Sequence, residues 1–362
     1  MPVNALWRWR KLYSTQYVIG TAIPIELTKY IQTDFVKRLI VQVSGTLTTG
    51  AAGGGTPTGA TNPEDLLQSC ILQTSPTVAS VVPFNQVSGR SLLIDAAQNR
   101  KRFAKAAPIS DNDASAQTVD ICYELNFKRS GLRKAVEYGF DISRYTGALL
   151  TLTFGDYTRL FTGSSNQSAA NSGLSGLTVT IWSHSAFNVN PNQLHAVELF
   201  EQNFPILQTQ SDFLINQLPA GFLYTDLYFL TEQNGALTPG ILTNIDIEGG
   251  GRIWMQSGDN NADSMQRIMT LDQFDGTVQM PDSPLLNTND QTLAGMYFVN
   301  MRDNSGMFTR QIDALTTQII IKLGVNFLSG GPQNLRLVGR RMVPGAVYKA
   351  SPPAKAAAAA TS

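Results

Sequence analysis

The run Phe35-Val36-Lys37-Arg38-Leu39-Ile40-Val41-Gln42-Val43-Ser44-Gly45-Thr46-Leu47-Thr48 is rich in β-branched residues and alternates from Leu39 onward. An extended chain sends successive side chains to opposite faces, so Leu39, Val41 and Val43 point one way and Ile40, Gln42 and Ser44 the other. Strand runs of the same kind recur at residues 119–127, 148–154, 177–182, 222–230, 241–247, 296–299, 317–327 and 334–343. Many short strands separated by turn-rich spacers, with few helices, predict a sandwich or barrel.

One helix stands out in the first half. Ser88 is placed to cap Ser91-Leu92-Leu93-Ile94-Asp95-Ala96-Ala97, the cations Arg100, Lys101, Arg102 and Lys105 fill its last turns, and Pro108 stops it. Cations at a helix C-terminus complement the backbone dipole, which accounts for them without a nucleic-acid partner. Two long loops, 50–63 (GAAGGGTPTGATNP) and 163–176 (GSSNQSAANSGLSG), read as tips or neighbour-facing arms on a rigid scaffold. The tail from Lys349, KASPPAKAAAAATS, has the composition of a disordered segment.

The chain reads as one order of elements used twice. An early strand at 35–48 is followed by 147–154, a Gly155-Asp156 turn, a return at 157–162 and a closing strand at 177–187. The second half opens at 222–231, continues through 241–247, a Gly249-Gly250-Gly251 turn and 252–255, and closes with 317–327 and 334–343. Between the halves, Asn188-Val189-Asn190-Pro191-Asn192 reads as a polar linker. At roughly 150 residues per domain, 362 residues suit two domains, each able to bury a core without staples.

Charged residues make up 15% of the chain, against about 25% in an average soluble domain. A surface so poor in charge and rich in Thr, Asn, Gln and Ser suits a protein whose flanks are covered by neighbours. Lys and Arg together number 27, as do Asp and Glu, so the body lacks the basic excess needed to wrap nucleic acid. Cys70 and Cys122 both fall in apolar, strand-like runs and read as buried free thiols; no Cys/His cluster points to zinc.

The sharpest local feature is Leu6-Trp7-Arg8-Trp9-Arg10-Lys11-Leu12-Tyr13. Its cations interrupt any signal-peptide core, and no apolar stretch reaches the ~20 residues of a membrane span, so synthesis and assembly in the cytoplasm are expected. As a helix, Leu6, Trp9 and Tyr13 form a stripe; as a strand, Trp7 and Trp9 share a face opposite Arg8 and Arg10. Either suits an inner, membrane-facing anchor, an arm packed on a neighbouring subunit, or a genome contact.

Catalytic signals are missing. GxSxG, Walker A, HExxH and GxGxxG do not occur, and the two histidines, His184 and His195, lie near the junction of the halves. Asp259, Asn261 and Asp263 have calcium-loop spacing, but Ser264 stands at the turn glycine and Thr270 at the bidentate Glu, so this reads as a polar loop. The chain is expected to be no enzyme and to hold no cofactor or metal.

Several stretches resemble the double jelly-roll major capsid proteins of tailless, membrane-containing icosahedral bacteriophages. Residues 34–48 resemble that family's first strand, and Val87-Ser88-Gly89-Arg90-Ser91-Leu92-Leu93 its helix start. Leu218-Pro219-Ala220-Gly221-Phe222-Leu223-Tyr224 and Arg336-Leu337-Val338-Gly339-Arg340-Arg341-Met342-Val343-Pro344 resemble the second half's opening and final strands. The likeness spans about residues 25–345. It implies an all-β chain of two consecutive eight-stranded jelly rolls with a few short helices in loops: an arm at 1–24, a first jelly roll at 25–187, a linker at 188–198, a second jelly roll at 199–345, and a disordered tail at 346–362. It implies a homotrimer forming a pseudo-hexagonal capsomer, packed with other capsomers and with minor capsid and vertex proteins into a virion shell. An internal lipid membrane would be met by the N-terminal residues Leu6, Trp7, Arg8, Trp9, Arg10, Lys11 and Tyr13, and no sequence-specific nucleic-acid binding is implied. The alternative from another class is a jelly-roll receptor- or carbohydrate-binding spike; the absence of aromatic residues from both long loops argues against sugar stacking.

Overall fold

The computed structural model describes residues 6–32, 34–49, 60–76, 82–100, 109–111, 115–127, 139–162, 174–187, 197–216, 218–249, 252–258, 262, 295–299, 312–314 and 318–342. The first half contains β1 (Leu6–Gln16), β2 (Ala22–Glu26), β3 (Phe35–Leu47), β4 (Ala60–Thr61), β5 (Leu67–Pro76), β6 (Phe84–Val87), β7 (Gln117–Asn126), β8 (Phe140–Asp141), β9 (Tyr145–Phe154), β10 (Phe161–Thr162) and β11 (Thr178–Phe187). The second contains β12 (Val197–Ile206), β13 (Gln210–Ile215), β14 (Phe222–Gln233), β15 (Ala236–Leu237), β16 (Leu242–Gly249), β17 (Arg252–Gln256), β18 (Met296–Val299), β19 (Ile312–Ala314), β20 (Ile320–Val325) and β21 (Gln333–Met342). Helix α1 (Gly89–Arg100) follows β6, and a short α2 (Tyr157–Leu160) follows β9.

Four sheets result. In the first half β1-β11-β3-β7 forms sheet one and β2-β9-β5-β6 sheet two; in the second, β12-β21-β14-β18 forms sheet three and β13-β20-β16-β17 sheet four. Read in chain order, each half sends its first, third, sixth and eighth principal strands to one sheet and the other four to the opposite sheet. That is the winding of an eight-stranded jelly roll, performed twice. The chain is therefore all-β and a double jelly roll.

The halves are fused. Strand β6, the last of sheet two, pairs in parallel with β12, the first of sheet three, at Leu199↔Phe84 and Phe200↔Asn85, and the Leu199 amide donates to the Pro83 carbonyl at 2.9 Å. Sheets two and three are thus one continuous sheet. Sheet three is buried on both faces: Phe200, Leu227, Phe229, Leu335 and Leu337 enter the second core, while Leu199, Tyr228, Leu230, Val338 and Met296 join the first. Every residue from Tyr224 to Glu232 on β14 is buried. Residues 222–230, expected to alternate, instead read Phe-Leu-Tyr-Thr-Asp-Leu-Tyr-Phe-Leu, the near-continuous apolar pattern of a strand covered on both sides.

On β3 the expected alternation holds: Leu39, Val41 and Val43 are fully buried, and Ile40, Gln42 and Ser44 are half-buried on the outer face. Other expectations change. The strand at 35–47 is third in its half, because β1 and β2 precede it, and likewise β12 and β13 precede β14. The repeat matches β9 with β20 and β5 with β16, not residues 147–154 with 241–247. Residues 157–160 form α2 rather than a returning strand, because the Asp156 carboxylate accepts from the Thr158 amide at 3.1 Å and caps a turn of helix. Cys70 is buried, but Cys122 is exposed, since its neighbours Ile121 and Tyr123 on β7 take the inward positions. Residues 50–59, 163–173, 188–196 and 343–362 lie outside the described residues, as do Lys101, Arg102, Lys105, Pro108, His195, Asp259, Asn261 and Asp263.

Candidate assembly interface

A junction between two jelly rolls needs both apolar contact and satisfied polar groups, and α1 supplies each. Ser88 caps it as expected, its hydroxyl accepting from the Ser91 amide at 3.3 Å. Glu201 on β12 reaches across to the same turn, accepting from the Ser88 amide at 2.8 Å and the Ser91 hydroxyl at 2.7 Å. The second turn carries Asp95, fully buried, which takes both bonds of the Arg340 guanidinium from β21. Arg340 also donates to the Asn126 carbonyl at 3.0 Å, tying β21 to the end of β7.

Beside this pair lies a buried cluster. Arg90 on α1 donates to Asp65 at 2.5 Å, to Glu232 on β14 at 2.9 Å and to the Gly235 carbonyl at 3.0 Å. Arg336 on β21 donates to the Ser88 hydroxyl at 2.6 Å and to Glu201 at 3.1 Å, and pairs with Glu232 at 2.9 Å. Glu64 stands 3.9 Å from Arg90 and its Oε1 makes no hydrogen bond. The two guanidiniums thus face four carboxyls: Glu64, Asp65, Glu201 and Glu232. Burial, reinforced by the neighbouring Asp65 charge, pushes the Glu64 carboxyl up to about 7. The Arg336 and Arg90 charges hold Glu232 below the usual carboxylate range despite its burial. Gly89 leaves space for this packing, because a Cβ there would sit 2.3 Å from the Glu64 carbonyl and 2.6 Å from the Tyr123 ring.

The N-terminal residues form β1, the outermost strand of sheet one, antiparallel to β11. Leu6 is paired with Phe187 in that register. Trp7 and Trp9 share a face, as a strand requires: Trp9 stacks on His184 with ring centroids 4.6 Å apart, and Trp7 lies 5.3 Å from the same ring. Lys37 sits 5.4 Å over Trp7, and the Arg38 guanidinium 5.1 Å from Trp9. Arg8 leaves that face and pairs with the buried Asp34 at 3.2 Å through both carboxylate oxygens. Arg10 and Lys11 are exposed, and Tyr13 packs edge-on against Tyr30. Trp9 remains 52% exposed, a large apolar surface beside several cations.

His184 does not build a hydrolase centre with its serine neighbours. Its ring is on the outer face, against Trp9, whereas Ser183 and Ser185 are fully buried and the Ser185 hydroxyl donates to Asp34 at 2.8 Å. Burial and the Arg38 and Lys37 charges hold the imidazole below its ordinary pKa. Among the described residues no group of three His, Cys, Asp or Glu could hold a metal, and no helix is long and apolar enough to cross a membrane.

The arginines and carboxyls of the junction were not legible as a unit in the sequence. Their signal was the presence of charged residues, Asp226 and Glu232 on β14 and Arg336, Arg340 and Arg341 on β21, in strands with long apolar runs.

No family model and no curated protein matches this sequence. Solved structures do match its fold. The STIV MCP, from Sulfolobus turreted icosahedral virus, aligns with a TM-score of 0.63 at 14% identity, over 94% of this chain and 97% of that one. The PBCV-1 virus capsid gives 0.59 at 11% identity, over 96% and 97%. The major capsid protein P2 of bacteriophage PM2 gives 0.54 at 11%, over 93% and 98%. At such identities the likeness speaks to the fold, and it extends over both jelly rolls.

Proposed function

We propose that this chain is the major capsid protein of an icosahedral virus. The observation that carries the reading is the fusion of two jelly rolls into one unit by the continuous β6–β12 sheet and the buried ion pairs over it. Such a unit suits repeated tiling as one block, and its full-length structural neighbours include proteins named as capsid subunits. Three copies would place six jelly rolls in a pseudo-hexagonal capsomer, which packs with its neighbours and with minor capsid and vertex proteins into the shell. The role is structural, with no catalysis and no cofactor, and its place is the virion after assembly in the host cytoplasm. A bacteriophage source with an internal membrane is the finer form of the reading. It rests on the resemblance to that family, and on Arg10 and Lys11 as exposed cations suited to anionic headgroups.

Light scattering on the purified full chain, with negative-stain imaging of the same fraction, tests this. A three-chain species seen as pseudo-hexagonal tiles, or closed shells, is the expected result. A single chain that never associates on concentration would overturn the reading and favour a glycan- or receptor-binding protein.

A further inference from the structure

The two jelly rolls are equivalent strand for strand, yet their edges are treated unequally. In the repeat, β6 corresponds to β17 and β12 to β1, each pair holding the same place in its half's sheets. β6 and β12 pair with each other in parallel. β1 and β17 are both terminal strands, each with one partnered edge and, among the described residues, one open edge. The faces follow the same rule. The outer face of sheet three is covered by the first half's core, through Leu199, Tyr228, Leu230, Val338 and Met296. The equivalent outer face of sheet one, with Trp9, His184, Arg38 and the exposed Cys122, has no such cover among the described residues.

Open strand edges beside apolar surface are templates for pairing with another chain, and native proteins cover or blunt them. β1 is 11 residues long, and on β17 Ile253 is 64% exposed. We propose that β17 of one copy pairs in parallel with the open edge of β1 of the next, repeating between chains the β6–β12 join made within the chain. The second half of that neighbour would then cover the outer face of sheet one. The partner is a second copy because the complementary halves of the joint, β1 and β17, lie in different jelly rolls and different sheets of each chain and are not paired with each other. The contact is head-to-tail, so it closes into a ring or runs on as a filament, and three copies with six equivalent joints give the ring. This rests on the capsid reading and names the surfaces that build its capsomer.

Two substitutions at exposed side chains test it in the full chain, Trp9→Glu on β1 and Ile253→Glu on β17. Mass is read by light scattering, and folding by the thiols: buried Cys70 stays unreactive in any folded chain, whereas Cys122 reacts in a lone chain. The wild type is expected as a closed ring in which Cys122 labelling is lost. Each variant alone is expected at single-chain mass, with Cys122 reactive and Cys70 protected. An equal mixture of the two is expected to form a two-chain species and stop there, because one intact β1 and one intact β17 remain. Retention of the ring by either variant, or a mixture that stays at single-chain mass, overturns the proposal while leaving the capsid reading intact. A wild type at single-chain mass overturns the capsid reading itself.

Discussion

Asp95, in the second turn of the first half's helix, holds the guanidinium of Arg340, on the last strand of the second half, through both carboxylate oxygens with neither side chain open to water. The residues are 245 positions apart in the chain. One pair therefore binds the beginning of the first jelly roll's helix to the end of the second jelly roll.

A buried pair recovers its desolvation cost only while both members are present, so removing one should cost about 3–5 kcal/mol. Arg340→Ala and Asp95→Ala are expected to lower stability by that amount each, measured by denaturant unfolding. The double variant Asp95→Leu with Arg340→Met, which replaces the charges by apolar volume, should be far less damaged than either single change. Equal loss in all three would mean that the pair contributes nothing specific to the junction.

The carboxyl of Glu64 should make stability fall as pH rises. Folding raises its pKa from an ordinary 4.5 to about 7, so the folded chain holds a proton that the unfolded chain has released. The resulting stabilisation is complete below about pH 4.5 and is lost as pH climbs through 7. Asp65 and Arg90 act on the group directly, with Glu232 and Arg336 beyond Asp65, and ionising Glu64 adds a charge to a cluster where carboxyls already outnumber guanidiniums. Unfolding free energies between pH 5 and 8 should decline in the wild type and decline less in Glu64→Gln, with a residual slope from Asp65, whose carboxyl burial pushes up to about 6. Parallel curves for the two proteins would show that Glu64 is not the titrating group.

Lipid contact through β1 predicts that the full chain co-sediments with anionic vesicles and not with neutral ones. Arg10 and Lys11 are exposed, so Arg10→Gln with Lys11→Gln should weaken that binding by about 1 kcal/mol per charge removed. Sedimentation unchanged by the double substitution, or equal on neutral vesicles, would remove lipid from the roles of this strand.

Much of the fold is local information. The alternation of Leu39, Val41 and Val43 with Ile40, Gln42 and Ser44 sets the strand and its buried face, because a strand's period is two whatever it packs on. The cap at Ser88 and the start of α1 are equally local, a hydroxyl and an amide three residues apart. Even the N-terminal segment carried its own answer in part: once it is a strand, Trp7 and Trp9 must share a face. Whether it is one depends on β11, more than 160 residues away, which supplies the hydrogen-bond partners.

The sequence by itself determined the class of fold, the duplication and the poverty of charge, because periodicity and composition act residue by residue. Only the tertiary structure decided which strands correspond, that Cys122 faces outward, and that Arg90, Arg336 and Arg340 meet Asp65, Glu232 and Asp95. Those matters turn on which sheet edge lies beside which, and a buried charge is tolerable only where the fold delivers its partner. The parallel pairing of β6 with β12 is the deciding contact: it joins residues over 100 positions apart, buries sheet three on both faces and, among the described residues, leaves β1 and β17 as open edges.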